Sequence, residues 1–359
     1  MKRSYILYFI LKIFYLFFGV FVFSKFAALG DAERYTSSDA NVSVDALLDR
    51  TALIDIIAGN ITRVFFTPLA SHLFFCILSF YGIYYAVSKL EIPKNDLVAL
   101  LVVLSFPDFA MWTSVVGKEA FTVFTTGIIL GNVINLLKGE KITNHFLLLI
   151  CIVLSMLIRP HYSIGLITFL LFLFICRHFY LKRLSMFALN ISVFVILTSI
   201  VFLFVVPFVN AGGFVDLAQA YFLGYEDAGA MRNQNFWQNN HDYFTKMPQG
   251  AFIALMGPTF FDSLIRPVYF PFFLQSLFFL IFIGYYLSKS FYIQFKHNSY
   301  SQYFFFAVFY VLILNMIMHY PFGLFNSGSA IRYRAAFYHI MAIIPVAMYA
   351  YIEKNYSKR

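Results

Sequence analysis

The chain has 359 residues, of which 61% are hydrophobic and only 12% are charged, and its mean hydropathy is +0.77. A soluble domain of this length does not need so much apolar surface, so the composition excludes an ordinary soluble protein and predicts membrane-spanning helices. The net charge of +9 would suggest nucleic-acid binding in a soluble protein. Here the bases are scattered through short loops, where membrane orientation and lipid head groups explain them better.

Ten stretches of the chain are judged against the roughly 20 apolar residues that a helix needs to cross about 30 Å of hydrocarbon. The third, fifth and sixth are the weakest, because Pro107 and Pro160 interrupt the pattern near their ends. The first follows Lys2 and Arg3 as a signal peptide would, but its long apolar run lacks a clear cleavage site, so we expect a retained helix. The predicted spans are approximately 5–28, 64–88, 97–113, 119–137, 146–162, 163–180, 186–207, 269–288, 302–319 and 333–352.

The charges of the connecting segments predict that both termini are cytoplasmic. With that orientation, every short cytoplasmic connection carries at least two bases, as the positive-inside rule requires. Only four of the 17 acids share the cytoplasmic side, namely Glu91, Asp96, Glu140 and Glu353. The predicted fold class is therefore an all-α polytopic membrane bundle of about ten transmembrane helices, forming a single integral-membrane domain over residues 1–359.

Two outer segments are too long to be simple turns. The first, residues 29–63, begins with an acidic and aromatic run and continues through an amphipathic stretch at 44–57. The second, residues 208–268, contains Trp237 and many other aromatic residues. Loops of this length in a compact protein are usually functional or disordered. The aromatic content argues against disorder, so we expect the second loop to pack on the outer membrane face.

Charged residues stand at the outer ends of several predicted helices. Ionisable groups at membrane depth cost a few kcal/mol unless they are paired or line a wet cavity, so their recurrence on one side predicts a shared polar cavity. Arginine suits phosphate because its planar fork donates parallel hydrogen bonds, and a helix N-terminus adds free amide donors. The residues are Lys118, Glu119, Arg159, Arg266, Arg332 and Arg334.

A structural alternative exists for these bases. They would then snorkel to outer-leaflet head groups, or pair with Glu119, Asp262 and Asp108. Both interpretations stay open at this point, since the sequence does not show which side chains meet.

Asp31 is the best candidate for a catalytic carboxylate. It follows the first span directly, where it could take the proton from an acceptor hydroxyl during glycosyl transfer. Equally, it could cap a short interfacial helix and pair with Arg34. His161 and His241 are alternative bases, although a plain hydrogen-bonding role is simpler for each. The sequence contains no P-loop, G-x-S-x-G elbow, H-E-x-x-H motif or Rossmann fingerprint, so it gives no support to nucleotide hydrolysis, serine-hydrolase chemistry or zinc proteolysis.

These residues resemble two groups of bacterial membrane proteins. The run Gly30-Asp31-Ala32-Glu33-Arg34-Tyr35 in the first outer loop of a ten-helix bundle is similar to the GT-C class of polyprenyl-phosphate-sugar glycosyltransferases. Other stretches resemble multispanning proteins of polysaccharide gene clusters, whose suspected role is that of a Wzy-type O-antigen or capsule polymerase. These stretches are Phe106-Pro107 through Trp112 to Gly117-Lys118-Glu119, Ile158-Arg159-Pro160-His161, Ile265-Arg266-Pro267, and Arg332-Tyr333-Arg334 to Pro345.

The resemblance implies specific roles. An acidic residue of the first outer loop is the catalytic base or a metal contact in the GT-C class, which implies one of those roles for Asp31. Wzy-type polymerases hold undecaprenyl-pyrophosphate glycans with arginines of their outer loops, which implies phosphate binding by the four arginines, with Lys118 and Glu119 beside them. We expect no resident cofactor, with a divalent metal at Asp31 as the alternative that the GT-C class offers.

The first hypothesis is thus a polymerase or glycosyltransferase of the bacterial inner (cytoplasmic) membrane, acting on its outer face in O-antigen, lipopolysaccharide or capsule biosynthesis. Asp31 or His161 would be its base. Its expected partners are undecaprenyl-linked oligosaccharide, membrane lipids, and a chain-length regulator or flippase, with no nucleic acid. The second hypothesis is a transporter or flippase of a lipid-linked saccharide, which should show internal repeats and charges near mid-helix. The third is a membrane acyltransferase using His241 and Asp242.

Overall fold

The computed structural model describes residues 3–39, 42–210 and 237–356, and within these ranges the protein is helical, with no β-strand. Eight helical segments are long and apolar enough to cross a membrane, which identifies the chain as a membrane-embedded helical protein. They coincide with eight of the ten predicted spans. The segments are Arg3–Lys25, Pro68–Ser88, Lys118–Lys138, Pro160–His178, Arg183–Leu203, Pro267–Lys296, Gln302–Phe325 and Gly328–Tyr356.

The first outer segment folds into short helices between two membrane spans. Asp49 begins the longest of them by accepting hydrogen bonds from the backbone N–H groups of Thr51 and Ala52, both at 2.7 Å. Thr67 caps the next span, which has Pro68 at its first position. The helices are α1 (Arg3–Phe21), continued by a 3-10 turn (Phe23–Lys25), α2 (Ala32–Ser37), α3 (Val44–Leu48), α4 (Arg50–Phe65) and α5 (Pro68–Ser88).

The third predicted span is a broken segment. Helix α6 (Lys94–Val103) ends before Pro107, which opens the single turn α7 (Pro107–Ala110), and non-helical backbone then leads to α8 (Lys118–Lys138). Such backbone is tolerated at membrane depth only where protein or a wet cavity surrounds it. Thr113 and Ser114 of this stretch are fully buried.

The fifth and sixth predicted spans meet at Arg159. Helix α9 (His145–Ile158) has 14 residues, about 21 Å of rise, and α10 (Pro160–His178) begins at Pro160 rather than at the predicted residue 163. Proline is favoured at the first position of a helix and ends the preceding one, which explains the boundary. Arg159 therefore lies directly between the end of α9 and the start of α10.

The second half of the chain contains both long membrane-spanning helices and short connecting helices. Two of them include a π-helical stretch, at Val201–Val205 and at Ala307–Ile313. Residues 211–236 of the second predicted outer loop lie outside the described residues. The helices are α11 (Arg183–Ile200), α12 (Val206–Asn210), α13 (Asp242–Thr245), α14 (Met247–Met256), α15 (Phe260–Ile265), α16 (Phe270–Lys296), α17 (Gln302–Phe306), α18 (Leu314–Phe325) and α19 (Ser327–Tyr356).

Helices α8 and α19 form the centre of the bundle. Nearly every residue of α8 and of the apolar middle of α19 is buried, whereas α11 has no buried residue. Helix α5 packs on α8 through Gly82 and Gly127, where a Cβ atom on either glycine would collide with the backbone of the other helix. Small residues allow this close crossing, which is typical of membrane helices. The crossing fixes the position of α8, whose first residues are Lys118 and Glu119.

The helices of the first outer segment cover the same end of the bundle. Tyr35 of α2 and Ile54 of α4 pack with three residues near the start of α8 and the end of α9. These are Val116 just before α8, Ala120 in its first turn and Ile158 at the end of α9. The described part of the second loop packs nearby, with the Trp237 ring centroid 4.7 Å from that of Phe325. The first predicted outer segment and the described part of the second thus contribute apolar contacts to the bundle.

Candidate functional site

Four charged side chains from distant parts of the chain meet at one end of the bundle. Glu119 Oε1 lies 2.7 Å from Nη2 of Arg159 and 3.5 Å from Nε of Arg332. Arg332 also binds Asp31, with 3.0 Å between its Nη2 and the carboxylate Oδ2. We call Asp31, Glu119, Arg159 and Arg332 the charge cluster. All four were predicted to stand at helix ends on one side, and the structure brings them into direct contact.

Helix ends position the members of the cluster. Glu119 occupies the first turn of α8, Arg159 is the junction of α9 and α10, and Arg332 lies in the second turn of α19. Asp31 follows Gly30, whose φ of +63° lies in the left-handed region that favours glycine. A Cβ atom at Gly30 would collide with the Arg332 guanidinium, so the close approach of Asp31 to Arg332 requires glycine there as well.

Aromatic rings face both guanidiniums. The centroid of the Tyr333 ring lies 4.6 Å from Cζ of Arg159 and 5.6 Å from Cζ of Arg332. The centroid of the Trp112 ring lies 5.7 Å from Cζ of Arg332. Rings at these distances attract the cations and limit their rotation. The buried Nε–H groups of Arg159 and Arg332 have no hydrogen-bond partner, since the 3.5 Å approach of Arg332 Nε to Glu119 lacks hydrogen-bond geometry. The Nε–H of Arg159 therefore keeps its hydrogen-bonding capacity, whereas the Nε of Arg332 faces the Glu119 carboxylate.

Burial varies strongly across the cluster. The Glu119 side chain is 2% exposed and that of Arg159 is 9%, whereas Asp31 is 48% exposed. Partial burial alone would raise the pKa of Asp31, but the positive charge and hydrogen bond of Arg332 outweigh it and lower that pKa below its usual value. Asp31 is therefore ionised at neutral pH and, while bound to Arg332, is a weak proton acceptor.

Lys118 extends the positive charge toward the first outer segment. Its Nζ donates a hydrogen bond of 2.6 Å to Oγ1 of Thr51 in α4. One turn further along α4, Asp55 pairs with Arg34 at 3.5 Å, and its buried Oδ1 has no hydrogen-bond partner. Burial raises the pKa of Asp55, against the opposing charge of Arg34. Sequence reasoning did not single out Thr51 or Asp55; their i, i+4 spacing on one helix face was the available signal.

Arg334 belongs to a different set of contacts. It forms an ion pair with Asp108, with 2.6 Å between Nη2 and Oδ2, and both side chains are 1% exposed. Its Nη1 donates to the backbone carbonyl of Leu255 and to Oγ of Ser276, at 2.9 Å for the latter. These contacts tie α19 to α7, α14 and α16. The pairing of the predicted arginines with Asp108 and Glu119, which the sequence left open, is thus present in the structure.

Arg266 stands apart from the charge cluster. It ends α15 at a position preceding Pro267, and no side-chain contact within the described residues links it to Asp31, Glu119, Arg159 or Arg332. Its neighbour Asp262 accepts hydrogen bonds from the backbone N–H and hydroxyl of Thr259 in a capping box. Three of the four predicted arginines, Arg159, Arg332 and Arg334, therefore form ion pairs with acidic residues. Arg266 is not part of these ion pairs.

The histidines differ in their surroundings. His161 lies two residues after Arg159, its ring centroid is 4.1 Å from that of Tyr162, and its buried Nε2 has no partner. His241 is exposed, and the neighbouring Asp242 accepts from the backbone N–H groups of Gln238 and Asn239 at 2.6 and 3.1 Å. No contact between the side chains of His241 and Asp242 occurs in the described part of the chain. The predicted acyltransferase pair is therefore not assembled in this arrangement.

Lys12 is an intramembrane charge that sequence reasoning did not single out. It lies in the middle of α1, is fully buried, and donates to the carbonyl and the Oγ1 of Thr113 at 3.0 and 2.8 Å. Ser79 donates to the same carbonyl at 2.5 Å. These bonds satisfy a carbonyl in the non-helical stretch after α7, as backbone at membrane depth requires. A single lysine within an apolar run was the signal.

The residues around Asp31 do not form a metal-binding set. Among the described residues, no group of three or more His, Cys, Asp or Glu side chains is arranged to hold a metal ion. The Oδ2 atom of Asp31 is bound by Arg332, and Glu119 binds two arginines.

Comparison with known proteins gives no relative from which a role could be carried over. No protein-family model, curated protein or solved structure matches this chain.

Proposed function

We propose that the protein is a polymerase or glycosyltransferase of the bacterial cytoplasmic membrane that uses undecaprenyl-(pyro)phosphate-linked saccharides on the outer face. Both termini would be cytoplasmic, and α9 and the broken α6–α7 segment would complete a bundle of ten membrane segments. The acids and arginines of the charge cluster would then lie at the outer surface, where a lipid carrier presents its phosphates. Nucleotide would not be needed there.

The observation that carries the proposal is that the guanidiniums of Arg159 and Arg332 lie beside each other. Both contact one Glu119 oxygen, both face the Tyr333 ring, and the Nε–H of Arg159 has no hydrogen-bond partner. Helices α8 and α10 begin at this cluster, which adds partial positive charge and free amide groups. Paired guanidiniums at converging helix N-termini favour a ligand with two adjacent phosphates.

The residues divide into distinct roles under this proposal. Arg159 and Arg332 hold the phosphates of the donor. Lys118, which is bonded to Thr51 of α4, adds a third positive charge beside them. Glu119 keeps the two guanidiniums side by side. Arg334, which is fully buried and bonded to Asp108, Leu255 and Ser276, stabilises the bundle instead. Arg266 lies outside the charge cluster and has no assigned role in holding the donor.

Proton transfer is assigned to Asp31 or His161. The acceptor hydroxyl loses its proton to one of these groups as its oxygen bonds to the anomeric carbon, and the bond from that carbon to the donor phosphate breaks. The phosphate oxygen leaves with the electron pair and stays with the arginines. Asp31 can serve only when the incoming phosphate draws Arg332 away from it, since the ion pair holds its pKa low.

A transporter of lipid-linked saccharide is the second candidate. Buried Lys12 in the middle of α1 and the broken α6–α7 segment favour it, because transporters place charges and interrupted helices near mid-membrane. The one-sided position of the charge cluster favours the transferase.

Deletion of the gene, followed by gel analysis of the surface polysaccharide, separates the two candidates. A polymerase predicts loss of the long-chain ladder with one repeat unit retained. Loss of even the single repeat would indicate transport or assembly, and an unchanged ladder would contradict both. Complementation with Arg332→Ala should fail, whereas Arg63→Ala, which alters an exposed surface pair with Asp39, should restore the ladder.

A further inference from the structure

His319 of α18 is hydrogen-bonded to the beginnings of two helices. Its Nδ1 lies 2.8 Å from the hydroxyl of Tyr162 in the first turn of α10, and its Nε2 lies 3.2 Å from the carbonyl oxygen of Ala330 in the first turn of α19. His319 and Tyr162 are both fully buried. The imidazole therefore bridges two elements that are distant in sequence.

The partners define the direction of both hydrogen bonds. The carbonyl of Ala330 can only accept, so Nε2 of His319 carries the proton and donates. In the neutral ring Nδ1 is then the acceptor, and the Tyr162 hydroxyl donates to it. All polar atoms of the His319 ring are satisfied by protein groups, so it is not available to a substrate. Its role must be exerted through its neighbours.

Those neighbours lie directly beside the arginines of the charge cluster. Tyr162 is three residues after Arg159, and Ala330 is two residues before Arg332. The packing connects the same two places, since the Phe337 ring lies 4.7 Å from that of Tyr162 and 5.1 Å from that of His319. The start of α10 and the start of α19 are thus held at a fixed separation beneath the two guanidiniums.

We propose that His319 is a positioning residue that, through Tyr162 and Ala330, sets the spacing of Arg159 and Arg332 for a ligand with two adjacent phosphates. The part of this inference that concerns the ligand rests on the proposed function. The part that concerns the helices does not, because the bridge between α10 and α19 is a property of the fold.

Three substitutions separate the contributions of the two His319 hydrogen bonds. Tyr162→Phe removes only the hydroxyl, and His319→Phe keeps an aromatic ring among Phe322 and Phe337 but removes both hydrogen bonds. His319→Gln restores one acceptor and one donor on a side chain of similar reach. Tyr310→Phe is the matched control, because it removes a buried tyrosine hydroxyl that bonds to the Asn190 carbonyl far from the cluster.

The purified full-length chain in detergent would be tested in two ways. Amide hydrogen exchange over residues 330–334 reports the anchoring of α19, and titration with inorganic pyrophosphate reports the arginine pair. We expect Tyr162→Phe to exchange faster and to bind pyrophosphate about fivefold more weakly, as loss of one hydrogen bond would give, and His319→Phe, which loses two, to show larger changes in both measurements. His319→Gln should restore both values, and Tyr310→Phe should match the wild type.

The outcomes separate this inference from the proposed function. Unchanged exchange in both Tyr162→Phe and His319→Phe would overturn the bridge. Faster exchange with unchanged pyrophosphate affinity would overturn the positioning of the arginines. If the wild-type protein itself does not bind pyrophosphate, the proposed phosphate site fails, and exchange alone then decides whether His319 anchors the two helices.

Discussion

Glu119 and Arg159 form a 2.7 Å ion pair in which both side chains are almost completely buried, and the same Glu119 oxygen also contacts Arg332. A carboxylate in this place prevents two adjacent guanidiniums from repelling each other. The Nε–H of Arg159 has no hydrogen-bond partner, whereas the Nε of Arg332 is the atom that faces Glu119. The pair thus explains how the fold tolerates concentrated positive charge before any ligand arrives.

Glu119→Gln should destabilise the protein strongly. Removing one partner of a buried ion pair leaves the other charges uncompensated, which typically costs about 3–5 kcal/mol. Thermal unfolding in detergent, followed by the fluorescence of Trp112 and Trp237, would measure the change. Glu33→Gln is the control, because Glu33 is an exposed acid in the first outer segment. Equal unfolding temperatures for the two variants would show that Glu119 does not neutralise the arginines.

Gly30→Ala should disrupt the contact between Asp31 and Arg332. The new Cβ would occupy the position of the guanidinium, in addition to straining a backbone with positive φ. Gly139→Ala is a matched control, since Gly139 also has positive φ but has no atom near its Cβ position. Polysaccharide ladders should be lost with Gly30→Ala and retained with Gly139→Ala. Retention in both would mean that the Asp31–Arg332 contact is dispensable.

The stability contribution of Asp31 should depend on pH in a defined direction. Despite partial burial, Arg332 lowers its pKa below the usual 3.8, so the folded state is stabilised above the unfolded-state pKa and loses this contribution as pH falls through the folded value. Asp31→Asn should therefore unfold at a lower temperature than the wild type at neutral pH. The corresponding loss in the free energy of unfolding should be less than about 1 kcal/mol, because the pair is half-exposed. The difference should shrink as pH falls below the usual carboxyl pKa of 3.8.

Asp55 should show the opposite trend. Burial raises its pKa, so the wild type gains stability from the protonated form at low pH and loses it as pH rises through the folded-state pKa. Relative to Asp55→Asn, the wild type should thus become less stable between acidic and neutral pH. The same thermal scans would compare both variants across pH. Parallel trends for Asp31→Asn and Asp55→Asn would contradict the different surroundings described for the two carboxylates.

Much of the membrane architecture could be predicted because hydropathy and helix length are local properties. The eight long spans follow from apolar runs, and Pro107 and Pro160 marked the two irregular places. The pairing of charges was not predictable, because it depends on which helices are neighbours and how each is rotated. Asp31 and Arg332 are 301 residues apart, and no local pattern connects them.

The separate roles of Arg332 and Arg334 illustrate the same limit. The two residues are neighbours in one helix and looked equivalent in sequence, yet one joins Asp31 and Glu119 while the other joins Asp108. Residues two apart on a helix face different directions, so adjacent arginines reach different neighbours. Lys12 was missed for a related reason: a lone base within an apolar helix has no local partner, and its contact with Thr113 is tertiary.

The most direct test of the account is chain growth by the purified protein in liposomes supplied with an undecaprenyl-pyrophosphate-linked oligosaccharide. The wild type and Arg63→Ala should lengthen the saccharide and release undecaprenyl pyrophosphate, whereas Arg332→Ala should do neither while remaining folded in the membrane. Movement of the intact donor across the bilayer without formation of a glycosidic bond, or full chain growth by Arg332→Ala, would contradict it.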